Sequence, residues 1–142
     1  MRLLVVVLTL MSLSALGQGS AENWKTLGTL EYEKTKDEYG EIFVPKFGEQ
    51  IKSLEGKEIE LSGYIIPFEG MFEPDHLIVS SVPVASCFFC GGAGPESVAE
   101  IYLTEPVKYT AKKVTFKGKL TLNDSDVDQL MYILKDARIA TD

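Results

Sequence analysis

The chain has 142 residues, 45% of them hydrophobic, a net charge of −7 and two cysteines. That length fills the core of one domain and is short for two. An acidic chain of this kind does not attract a phosphate backbone, which argues against nucleic-acid binding.

The first residues, MRLLVVVLTLMSLSALGQGS, place one basic residue, Arg2, ahead of an apolar run and a small-residue region ending at Gly17. This is the layout of a secretory signal peptide, expected over residues 1–17, with Ala15-x-Gly17 as its cleavage site. The apolar run is short for a transmembrane helix, and no other stretch is long enough, so no membrane span is expected after cleavage. Cleavage would remove Arg2 and take the net charge from −7 to −8. An exported chain, periplasmic or secreted, would hold its cysteines in an oxidising space.

Residues 18–42 read as an N-terminal extension and residues 43–142 as a barrel domain. In the extension, Trp24, Leu27 and Leu30 form an apolar edge able to pack on that domain, and residues 35–40 form a solvated turn. Phe47, Ile51 and Leu54 then recur at i, i+4 and i+7, with Pro45 suited to a first helical turn and Gly56 to a stop. A short helix is expected there, weakened by Gly48.

From Lys57 the period changes to two. Ile59, Leu61 and Ile65 face one way and Glu58, Glu60 and Ser62 the other, with Gly63 marking a bend. Pro67 ends this strand, and PFEGMFEPD is a loop. Further strands are expected over 76–82 and 99–104. The clearest one alternates Val114, Phe116, Gly118, Leu120 and Leu122 with Thr115, Lys117, Lys119 and Thr121. A turn at 123–126, a short helical step and a last strand over 132–139 complete the chain. Five strands with one or two short helices fit a five-stranded OB-like barrel.

The ordered blocks GKEIELSGYIIPFEG, HLIVSSVPVASCFFCGGAGPESVAEIYL and KVTFKGKLTLNDSDVDQLMYILKDARI resemble a family of small exported bacterial proteins that carry a domain of unknown function. The likeness covers roughly residues 42–140, and CFFCGGAGPES is its most specific part. The resemblance implies an OB-like barrel in the cell envelope. It also implies a link with metal or ABC-type transport systems, so that a partner would be an envelope protein or transporter component.

The chemistry lies in SCFFCGGAGPES, between the second and third expected barrel strands. A thioredoxin-like site needs its first cysteine at the start of a helix, and Gly91 and Gly92 break any helix Cys87 opens. Covalent haem attachment needs histidine at position 91, and a phosphate loop needs a Gly-Lys-Ser/Thr ending. Enzymatic readings are thus thin, and a non-enzymatic role is expected.

Three uses of Cys87 and Cys90 stay open. Two thiolates at this spacing can chelate a soft metal, zinc or Cu(I), with His76 as a third ligand and Asp75 or Glu96 as oxygen donors. They can also form a redox-active dithiol, or a small structural disulfide in an interaction barrel. Gly91, Gly92, Gly94 and Pro95 shape the loop, and Pro95 with Glu96 resembles a helix start. One or both of Phe88 and Phe89 are expected to pack into the barrel.

Overall fold

The computed structural model describes residues 19–68 and 74–140. The expected signal peptide and residues 69–73 of the loop after Pro67 lie outside the described residues. In chain order the elements are α1 (Ser20–Leu27), β1 (Glu31–Asp37), β2 (Gly40–Lys46), α2 (Glu49–Lys52), β3 (Glu58–Ile65), β4 (His76–Ser80), β5 (Val98–Leu103), β6 (Val114–Leu122) and β7 (Tyr132–Ile139).

The period-two segments close into a five-stranded mixed barrel in the order β3-β4-β5-β7-β6, with β6 returning to β3. Every neighbouring pair is antiparallel except β5 with β7, which run parallel. The alternation read from the sequence is the one that fills the interior. Ile59, Leu61 and Ile65 of β3 meet Phe116 and Leu120 of β6, all buried, while Val114 and Leu122 pack half-buried against them.

At Gly63, where the sequence predicts a bend, the pairing of β3 changes. Residues 58–63 of β3 pair with β6, whereas Tyr64 and Ile65 pair with β4. The strand changes neighbour at the glycine, where a Cβ would run into the Ser80 carbonyl and sit 2.7 Å from Val79 Cγ2. A β-bulge bends β7 as well. Asp136, at φ 49°, lies in the extra residue step between the Lys117–Arg138 and Lys119–Lys135 pairs.

The extension contributes to this core. Leu27 of α1 is fully buried, and α1 is pinned to β3 by bonds from Asn23 Nδ2 to the Glu60 carbonyl (2.9 Å) and from Trp24 Nε1 to the Ser62 carbonyl (2.8 Å). Phe47, Ile51 and Leu54 are buried on one face, as their spacing demands. The helix is shorter than expected and carries only Ile51, with Phe47 and Leu54 flanking it. Pro45 belongs to β2, Gly48 caps α2, and Gly56 turns the chain at φ +75°. Tyr132 joins the two parts, donating its hydroxyl to the Leu27 carbonyl at 2.7 Å.

Two local expectations are corrected. Residues 31–46 form a hairpin, of which only the turn was foreseen, because β1 is exposed at every position and leaves no alternation to read. No helical step follows Asn123. Its side chain donates to the carbonyls of Asp126, Gln129 and Leu130 and accepts from the Asp126 amide, so it holds a turn in place of a helix.

Candidate functional site

The connection from β4 to β5 is wound into three single 3-10 turns, Val84–Ser86, Phe88–Cys90 and Pro95–Ser97. Pro83 sets the chain extended before the first. Cys87 then opens the second, its carbonyl accepting both the Cys90 and the Gly92 amides at 3.1 Å. Such doubling needs a sharp reversal, which Gly91 supplies at φ +77°. Gly92 is needed for close approach, since a Cβ there would lie 2.5 Å from the Ser86 carbonyl oxygen. Gly94 caps the third turn and Pro95 occupies its first position. The expected helix start is realised as that one turn.

This winding brings the two thiols together. Both cysteines are free, with Cys87 Sγ and Cys90 Sγ 4.0 Å apart. Their surroundings differ. Cys87 is 1% exposed, whereas Cys90 is open to solvent and contacts the Val84 carbonyl at 3.4 Å. The Cys87 sulfur, by hydrogen bond and then by charge repulsion, pushes the Cys90 thiol above its ordinary value, and slight desolvation adds to this.

Against expectation, neither phenylalanine enters the core; the buried side chain of the motif is Cys87. Phe89 stacks edge-on against Phe88 at 5.3 Å and against Phe68 at 6.1 Å. Phe89 and Phe68 are each about half exposed and form an aromatic ridge on the loop. With alternation in β4 and β5 already filling the interior, no inward position is left for either ring.

His76 stands at the opposite end of β4, separated from Ser80 by about 13 Å of extended chain at about 3.3 Å per residue. The structure does not bring it to the thiols. Its Nε2 lies 2.5 Å from Glu100 Oε1, and its ring stacks on Tyr102 with centroids 4.3 Å apart. Glu100, a buried carboxylate on β5, also accepts the Tyr102 hydroxyl and the Leu130 amide, each at 3.0 Å. Glu96 faces the Tyr32 phenol on the hairpin. Among the described residues, no group of three or more His, Cys, Asp or Glu side chains is placed to hold a metal ion.

Sequence reasoning missed Glu100. The one available signal was a carboxylate at an interior position of VAEIYL, next to residues that read as core.

What Cys87 and Cys90 offer is therefore a two-sulfur site. With metal–sulfur bonds of about 2.3 Å, sulfurs 4.0 Å apart subtend about 120° at a shared ion. Cys87 and Cys90 would hold such an ion, with its open side toward solvent beside the exposed Cys90.

The molecule is thus a closed five-stranded mixed barrel presenting a dithiol turn between its second and third strands. Comparison of the chain with protein-family models, curated proteins and solved structures finds no match.

Proposed function

We propose that this chain is an exported, non-enzymatic envelope protein that binds or senses a soft metal ion, Cu(I) before zinc, through Cys87 and Cys90. The observation that carries this is the pair of free sulfurs at chelating separation with one side open. Soft thiolates favour Cu(I), which is content with few ligands, whereas structural zinc asks for four. The open position beside Cys90 would accept a donor from a partner, such as a transporter component, and so suits handling of an ion better than permanent storage.

The barrel reading is OB-like. Its support is the count of five strands, the antiparallel meander β3-β4-β5, and closure by β7 lying between β5 and β6. The support for export is the leading sequence, and the expected product recovered from the envelope begins near Gln18 by intact mass.

The deciding experiment titrates the reduced protein with Cu(I) and with zinc against a chromophoric competitor. One Cu(I) per chain is expected, lost in both Cys87→Ser and Cys90→Ser, and weakened as pH falls because protons compete for the thiolates. His76→Ala is expected to leave that affinity unchanged. Binding no tighter than that of a double-serine variant would sink the metal reading.

A second reading rests on the unequal burial of the two sulfurs. An exposed thiol beside a buried one can form and reopen a disulfide. Equilibration with glutathione buffers would then give a potential more oxidising than that of a structural bridge.

A further inference from the structure

The hairpin carries a surface that neither reading of the Cys loop uses. β1 and β2 form a two-stranded sheet of their own, so each has an edge without a neighbouring strand among the described residues. Pro45 of β2 is paired with Tyr32. Proline has no N–H to give to a ladder, so this pair is of the non-hydrogen-bonded kind. Antiparallel alternation assigns the same kind to Lys34–Phe43, two residues along, and turns the backbone N–H and C=O of Phe43 outward.

A cleft of about 450 Å³ lies between β2 and the turn joining β6 to β7. Ile42, Phe43, Val44 and Pro45 all border it. Four consecutive residues of β2 border it, so the cleft runs along this stretch of the strand, and Asp37 carries it to the end of β1 at the hairpin turn. Val127, 96% exposed, and Phe43, 67% exposed, both border the cleft. Asp37, Asp124 and Asp126 also border the cleft, and no lysine, arginine or histidine does so among the described residues.

We propose that this cleft is a docking site for an extended segment of a partner protein, rich in lysine or arginine alternating with apolar side chains, which adds to β2 as a third strand. The Phe43 backbone supplies the pairing, Phe43 and Val127 take the apolar side chains, and the three carboxylates meet the cations. Charge decides against a second copy as the occupant. The chain is at −7, and self-pairing would bring two sets of the same carboxylates together without cations from the cleft to offset them.

The test is fluorescence anisotropy of a short labelled peptide alternating lysine and valine, with the purified protein at low and physiological salt. Binding is expected for this peptide and not for its glutamate–valine counterpart. Phe43→Pro removes the outward N–H at a position the β1–β2 ladder does not use, and should weaken binding at least about tenfold. Val127→Lys lies outside the hairpin, puts a cation in the cleft and should weaken binding similarly, so a hairpin damaged by proline does not decide the matter. No binding of the lysine–valine peptide, unchanged affinity in Val127→Lys, or equal binding of a lysine peptide with proline in place of valine would each overturn the proposal. So would self-association in sedimentation that Val127→Lys abolishes, because the occupant would then be a second copy.

Discussion

His76 and Glu100 lie on adjacent strands, with His76 Nε2 held 2.5 Å from a carboxylate oxygen that is almost wholly buried. The pair is the centre of a small network. Through its two oxygens Glu100 also ties down Tyr102 on its own strand and the Leu130 amide at the entrance to β7. Replacing Glu100 by alanine would strand three donors at once, and its expected cost is about 2–3 kcal/mol in urea-induced unfolding. Glu100→Gln keeps one acceptor oxygen and should cost less. Equal losses in the two variants would mean that shape, and not hydrogen bonding, sets the value of this position.

Alkaline pH is expected to loosen the fold through two tyrosines. Burial, and then the Glu96 carboxylate, push the Tyr32 phenol up to about 12; burial pushes Tyr132 up as well. Both are raised above the unfolded value of about 10, so their contribution is complete below that pH and falls as pH rises through the folded values. Phenolate absorbance should show these two, together with Tyr102, whose phenol is also pushed up by burial, lagging the exposed tyrosines. Tyr32→Phe should remove part of the alkaline loss. At neutral pH, Tyr132→Phe should cost about 1 kcal/mol by orphaning the Leu27 carbonyl.

Alkylation of the reduced protein should find Cys90 and spare Cys87, read by peptide mass mapping. With the Cys90 thiol held up by its neighbour, the reaction should be slow at neutral pH and accelerate with alkali. Cys87→Ala removes that neighbour and should speed alkylation of Cys90 near neutrality. A slower reaction in the variant would show that Cys87 activates Cys90.

Two substitutions probe the barrel itself. Phe116 is fully buried, and Phe116→Ala should destabilise by about 3–5 kcal/mol. Gly63→Ala adds one carbon where β3 meets the backbone of β4, and should cost about 1–3 kcal/mol despite its small size. An unchanged unfolding midpoint in Gly63→Ala would mean that β4 can yield at Ser80.

The barrel strands were legible because each buries one face, which writes burial into the sequence as alternation. Ile59-Leu61-Ile65 and Phe116-Leu120 needed no structure to be placed. The hairpin was opaque for the converse reason: EYEKTKD buries nothing, and its pairing with β2 depends on register alone. The candidate site divides the same way. Cys87 and Cys90 are neighbours in the chain and were visible as a motif, but which of them is buried depends on three successive turns. Glu100 meets His76 only because β4 and β5 align His76 with Tyr102, a long-range fact that residue types do not record.

The parallel seam between β5 and β7 sets when this fold can exist. Glu100 pairs with Ile133 and Leu103 with Ala137, so the barrel closes only with the last strand in hand. A nascent chain that ends before Tyr132 has β5 and β6 as open edges and lacks Tyr132 and Leu134 from its interior. Local hairpins can form early, but the parallel seam joins strands with all of β6 between them and is slower to find. A polypeptide built this way keeps its barrel open until β7 takes its place between β5 and β6.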